Sequence, residues 1–140
     1  LCEIMPFGAL LTMFRGVPKK IKHDIGADYG VRDVVMESWL GAVSVVRNIC
    51  AHHGRLWNRE MRFKPMIPRK DERWHRPVEI PNARIFGMLT ILRYLLTIIA
   101  PQSGWPGRLR SLLEEYPDIP LRQMGFPDGW NRCPIWETDQ

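Results

Sequence analysis

Seven residues able to bind phosphate or move protons (Arg47, Asn48, His52, His53, Arg55, Asn58 and Arg59) fall within one stretch, VVRNICAHHGRLWNRE, residues 45–60. An unperturbed imidazole has a pKa of about 6.5 and exchanges protons near neutral pH. A guanidinium keeps its charge and offers a planar fork to phosphate oxygens. An asparagine beside the arginine can orient its neighbours or bind the phosphate itself. Arg47, Asn48 and His52, in the spacing R-x4-H, therefore suit cleavage of RNA by its own 2′-hydroxyl. Such a site must above all stabilise the charge on pentacoordinate phosphorus. The reaction requires no metal or other cofactor. Cys50, His52, His53 and His75 are a poor zinc set, because adjacent helical residues point about 100° apart and no second ligand pair is spaced to help.

The element that must carry these groups is a long helix, expected over about 31–53. The continuation through Leu56 and Trp57 suggests a further turn beyond Gly54. Helical phase places Val35, Trp39, Ala42, Val43, Val46, Ile49, Cys50 and His53 on one apolar face. Glu37, Gly41, Ser44, Asn48, His52 and Arg55 lie opposite, with Arg47 on the border. His52 is thus expected on the polar face as the proton carrier. His53 is expected in the core as a structural histidine, with a catalytic role as its other reading. Gly41 and Ser44, small residues on the motif face, suggest close approach of a second helix, either from another copy or from the same chain.

The 140 residues are one domain's worth of chain, and the net charge of +5 is local. Between Arg55 and Arg76 eight Lys or Arg face three acids, which accounts for the whole excess. Within that block Arg55, Arg59, Arg69, Lys70 and Arg73 are candidate RNA-binding residues, a solvated basic face being the plain alternative. Residues 63–81 hold four prolines, many charges and no periodicity, and read as a long basic loop. Three cysteines, Cys2, Cys50 and Cys133, form no CxxC pair and are expected as reduced thiols in a cytoplasmic protein.

The remaining pattern is helical throughout. Helices are expected over 6–15 and 19–26 (closed by Gly26), over 82–100 with Asn82 as N-cap, and over 105–116. The stripe Ile85, Met88, Leu89, Leu92, Leu95, Leu96 and Ile99 marks the third of these as a core helix, too short to span a bilayer, and no membrane partner is expected. Residues 117–140 form an irregular tail whose Phe126, Trp130 and Trp136 are expected to close over the bundle. The tryptophans read as core or clasp residues. No strand pattern or repeat appears, so the fold class is all-α. The chain begins at Leu1 inside an apolar segment with no signal-peptide features, and is expected to be the C-terminal part of a longer protein.

The string RNICAHHGRLWNR, with MGFPDGW…PIW near the end, closely resembles the Abi-like proteins of bacterial abortive-infection phage defence, within the HEPN superfamily. The resemblance implies a single HEPN-like helical bundle over 1–140, with the basic loop between its central helices. It also implies an R-x4–6-H ribonuclease motif, matched by Arg47, Asn48 and His52. Metal-independent cleavage to 2′,3′-cyclic phosphate and a homodimer with a composite active site would follow. RNA is then the main partner, with an antitoxin or regulatory RNA as a further one. The alternative is a catalytically silent HEPN-like scaffold that binds RNA or protein.

Overall fold

The computed structural model describes residues 6–137, so Cys2 and Ile4 lie outside the described residues. These form five α-helices, α1 (Phe7–Gly16), α2 (Lys19–Asp28), α3 (Asp33–Ala51), α4 (Ile85–Ile99) and α5 (Trp105–Glu115), with three short 3-10 turns and, among the described residues, no strand. The all-α expectation holds.

Local chemistry sets the boundaries. Pro18 forces Val17 into extended backbone (φ −75°, ψ 153°), which ends α1, and Pro18 itself caps the next helix. Helix α2 runs past Gly26 to Asp28 and is closed by Gly30, whose φ is +65°, rather than by Gly26. Gly30 N–H donates to the Ala27 carbonyl (2.9 Å) and Val31 N–H to that of Gly26 (2.9 Å), the paired bonds of a Schellman motif. Asp33 then places a carboxylate in the first turn of α3, where the helix dipole favours it. Asn82 is not the cap of α4. Its Nδ2 donates to the Pro65 carbonyl (2.8 Å), and the helix begins three residues later, after Arg84.

Helix α3 packs against α1, α2 and α4. By length and composition alone it could cross a membrane, but Trp39 and Ala42 are fully enclosed in the fold, as in a core helix. Two aromatic clusters sit on different parts of α4. Tyr94 joins Trp39 and Trp74, with ring centroids 5.4–5.6 Å apart. Phe86 meets Phe126 at 4.5 Å and Trp136 at 5.9 Å, and Trp130 packs edge-on at 6.2 Å. The tail thus lies over the bundle, fixed by Trp136 Nε1 donating to the buried Thr90 Oγ1 (2.9 Å). The deep face of α4 is Phe86, Thr90, Ile91 and Tyr94, whereas Ile99, assigned to the buried stripe by periodicity, is exposed.

The basic segment is more ordered than its composition suggests. It buries Met61, Pro65, Trp74, Val78 and Ile80, and a 3-10 turn at Glu72–Trp74 seats the tryptophan in the core. Two hydrogen bonds tie it to α3: Trp39 Nε1 donates to the Met66 carbonyl (2.8 Å), and Met66 N–H to Ser38 Oγ (2.9 Å).

Candidate active site

The helix that carries the candidate site buries Val35, Met36, Trp39, Gly41 and Ala42 and has no buried residue beyond Ala42. Gly41 and Ala42 are buried and Val43, Ser44 and Val46 half-buried, whereas Arg47, Asn48, Cys50 and Ala51 are exposed. The last turn of α3 therefore projects from the core. Arg47 Nη1 donates to Asn48 Oδ1 (3.1 Å), so the asparagine holds one edge of the fork and leaves its other donors open.

Helix α3 ends at Ala51 and does not continue through Leu56 and Trp57. His52 is the C-cap (φ −97°, ψ 18°), and His53 turns left-handed with φ +54°. His53 N–H donates to the Cys50 carbonyl (3.0 Å) and Gly54 N–H to that of Ile49 (2.7 Å). This is the arrangement that closes α2, with a histidine where α2 has glycine. Gly54 is required beside it: a Cβ there would lie 2.8 Å from Ile49 Cγ2 and 3.0 Å from the Ile49 carbonyl oxygen. Helical phase cannot be carried past Ala51, which corrects the placement of His53 on the core face; Cys50 is still helical, and its exposure shows that the core ends before the helix does. Both are exposed, and so is His52.

Past the turn the chain is pinned at intervals. Leu56 packs on the core, and Arg84 Nη1 donates both to Asn58 Oδ1 (3.2 Å) and to the Gln123 carbonyl (3.1 Å). Asn58 also adopts a left-handed φ of +49°, and Met61 N–H donates to the Ala83 carbonyl (2.8 Å). Arg84 was not singled out by the sequence. It has no motif, and its role depends on the tail returning beside the site loop. Arg55 lies over the Trp57 ring, 5.6 Å from its centroid, and Trp57 is 43% exposed, unlike the enclosed Trp39, Trp74 and Trp136. Arg59 is exposed on the same loop.

The rest of the basic block does not converge on these residues. Arg69 and Lys70 line a cleft of about 820 Å³ together with Arg32 and Val35, at the start of α3. The α3 helix, at about 1.5 Å per residue, puts this cleft some 30 Å from His52. Arg73 is engaged elsewhere. Its Nε and Nη2 donate to the Asp71 carboxylate (2.7–3.2 Å), and its guanidinium lies 5.3 Å from the Tyr94 ring centroid. These hydrogen bonds hold the Asp71 carboxyl below the usual carboxylate range and raise Arg73 further.

Gly41, the first of the two small residues, is covered. A Cβ on Gly41 would meet the Phe63 ring at 3.4 Å, so at this position the basic segment of the same chain packs on the helix. Further along this face Glu37 pairs with Arg15 (2.9 Å) of α1. Among the described residues no three His, Cys, Asp or Glu side chains gather as a metal-ligating group, and His75 Nε2 instead lies 2.9 Å from the Pro68 carbonyl oxygen. Of the two described cysteines, both free, Cys133 is buried, and burial pushes its thiol pKa up.

A family model described as Abi-like protein matches residues 1–58. Among the described residues that span contains α1, α2, α3 and the turn bearing His52 and His53. No curated protein and no solved structure matches the chain.

Proposed function

We propose that the protein is a metal-independent endoribonuclease of the HEPN type, acting in bacterial phage defence. The observation that carries this reading is the Arg47–Asn48 hydrogen bond (3.1 Å) on the projecting end of α3, with His52 exposed on the helix cap that follows. The Abi-like match over the same stretch supports the abortive-infection setting. In this reading Arg47 grips the scissile phosphate, Asn48 orients the guanidinium and His52 transfers a proton. The 2′-oxygen forms a bond to phosphorus as the P–O5′ bond breaks, leaving a 2′,3′-cyclic phosphate and a 5′-hydroxyl. RNA is the partner, approaching Arg55 and Arg59 beside the site, with Arg69 and Lys70 as contacts at the far end of α3. The setting is cytoplasmic, and an antitoxin or regulatory RNA would restrain the activity. The reaction needs a second proton carrier, and a homodimer that brings two copies of His52 together is one source of it.

The test is mixed RNA incubated with the protein, with and without EDTA, followed by end-group analysis. Cleavage should survive the chelator and leave cyclic phosphate ends. Activity that disappears with EDTA and returns with magnesium or zinc contradicts the mechanism.

A silent scaffold is the second reading, and one feature favours it. An apolar cleft of about 450 Å³ opens between α1, α3 and α4, lined by Leu10, Phe14, Met36, Leu92, Leu96 and Ile99 among others. Exposed Ile99 and Met13 on its walls suit contact with another protein. Absence of cleavage across RNAs of varied sequence would favour this alternative.

A further inference from the structure

We propose that His53 is the second proton carrier of the site, so that a single chain supplies both the base and the acid; this rests on the ribonuclease reading above. The observation is a backbone outlier. His53 holds φ +54° at the position of a Schellman motif where glycine is the preferred residue, and where Gly30 stands in the same motif after α2. A side chain kept in such a conformation against its preference is a candidate for function. His52 closes the helix and His53 follows in the left-handed turn, so that two consecutive imidazoles are exposed just beyond Arg47 and Asn48. Consecutive Cα atoms are about 3.8 Å apart, so the two imidazoles stand on neighbouring residues of one exposed turn.

The step balances without any further reactant. One imidazole, neutral, takes the proton of the 2′-hydroxyl as its oxygen bonds to phosphorus. The other, protonated, gives its proton to the departing 5′-oxygen as the P–O bond breaks. Arg47 holds the charge on the non-bridging oxygens. No second copy of the chain is required for proton transfer.

The experiment compares wild type with His53→Gly and His53→Asn for RNA cleavage across pH 5–9, each with a thermal melt. Glycine relieves the left-handed strain and asparagine tolerates it, so both variants should fold as well as wild type or better. Both should cleave about 100-fold or more slowly, and the bell-shaped pH profile should lose one limb. Added imidazole should restore part of the rate of His53→Gly. Wild-type cleavage matched by His53→Gly would overturn the assignment while leaving the ribonuclease reading intact. Loss of cleavage together with a lower melting temperature in both variants would also overturn it, because His53 would then only shape the turn. Wild type without any cleavage would sink the ribonuclease reading itself.

Discussion

The two residues after His52 separate chemistry from folding. Gly54→Ala pushes a Cβ against the Ile49 carbonyl oxygen and Cγ2, and should cost about 1–3 kcal/mol, seen as a lower Tm. His53→Gly should leave stability unchanged or raise it by about 1 kcal/mol, since the left-handed conformation costs a non-glycine residue that much. Arg47→Lys keeps the charge and removes the fork, and should slow cleavage at least 10-fold on an exposed position where stability changes little. A rate equal to wild type would mean that a point charge suffices and that the bond from Arg47 to Asn48 Oδ1 has no functional weight. The exposure of Asn48 and His52 agrees with their place on the polar face by helical phase. The position of His53 was not legible, because the phase argument assumes that the helix continues. The signal for its end was Gly54, which is needed at that point by a close backbone contact that no periodicity reveals.

At the scale of elements, prolines and glycines marked most helix ends correctly, and the basic segment was the part least legible. Trp74 lies in a proline-rich, charged run with no period, yet it is fully enclosed beside Trp39 and Tyr94. Its burial depends on the 3-10 turn closed by Asp71, whose Oδ1 also accepts from Arg73 N–H (3.1 Å). Arg73 lowers the Asp71 carboxyl below its unfolded value of about 3.9, so the pair stabilises the fold above that pH. The contribution is lost as pH falls through the lower, folded value. Asp71→Asn should therefore reduce stability at pH 7 by about 0.5–1 kcal/mol, a modest figure because the pair is partly solvated. The gap from wild type should narrow as pH falls progressively below the unfolded value. A difference that does not change as pH falls would show that the charge is not what holds the turn. Gly41 makes a related point. Small residues on a helix face suggest an interface from sequence, and here the partner is Phe63 of the same chain, so Gly41→Trp tests packing rather than dimerisation.

Across the whole molecule, α3 links two basic regions that the sequence presented as one block. Sequence distance made Arg69 and Lys70 look like neighbours of His52, but the fold returns them to the opposite end of the helix. RNA that touches both regions must run the length of α3. Neutralising Arg69 and Lys70 together should then weaken RNA binding and flatten the dependence of log K on log salt by about one to two units, with the cleavage rate at saturating RNA kept. An unchanged slope would mean that the cleft is only solvated. Arg73 should contribute little to that slope, because Asp71 already neutralises it. The tail matters to the whole fold as well. Trp136→Phe removes the donor to Thr90 Oγ1 inside the core and should cost about 1–3 kcal/mol by denaturant unfolding.

The central claim is that His52 transfers a proton on the projecting end of α3. Its most direct measurement is the cleavage rate of mixed RNA by wild type and His52→Ala in EDTA, with thermal melts of both. Wild type should cleave, and His52→Ala should lose at least 100-fold in rate with a melting temperature within a degree or two, since His52 is exposed. Equal cleavage by the two proteins would contradict the account.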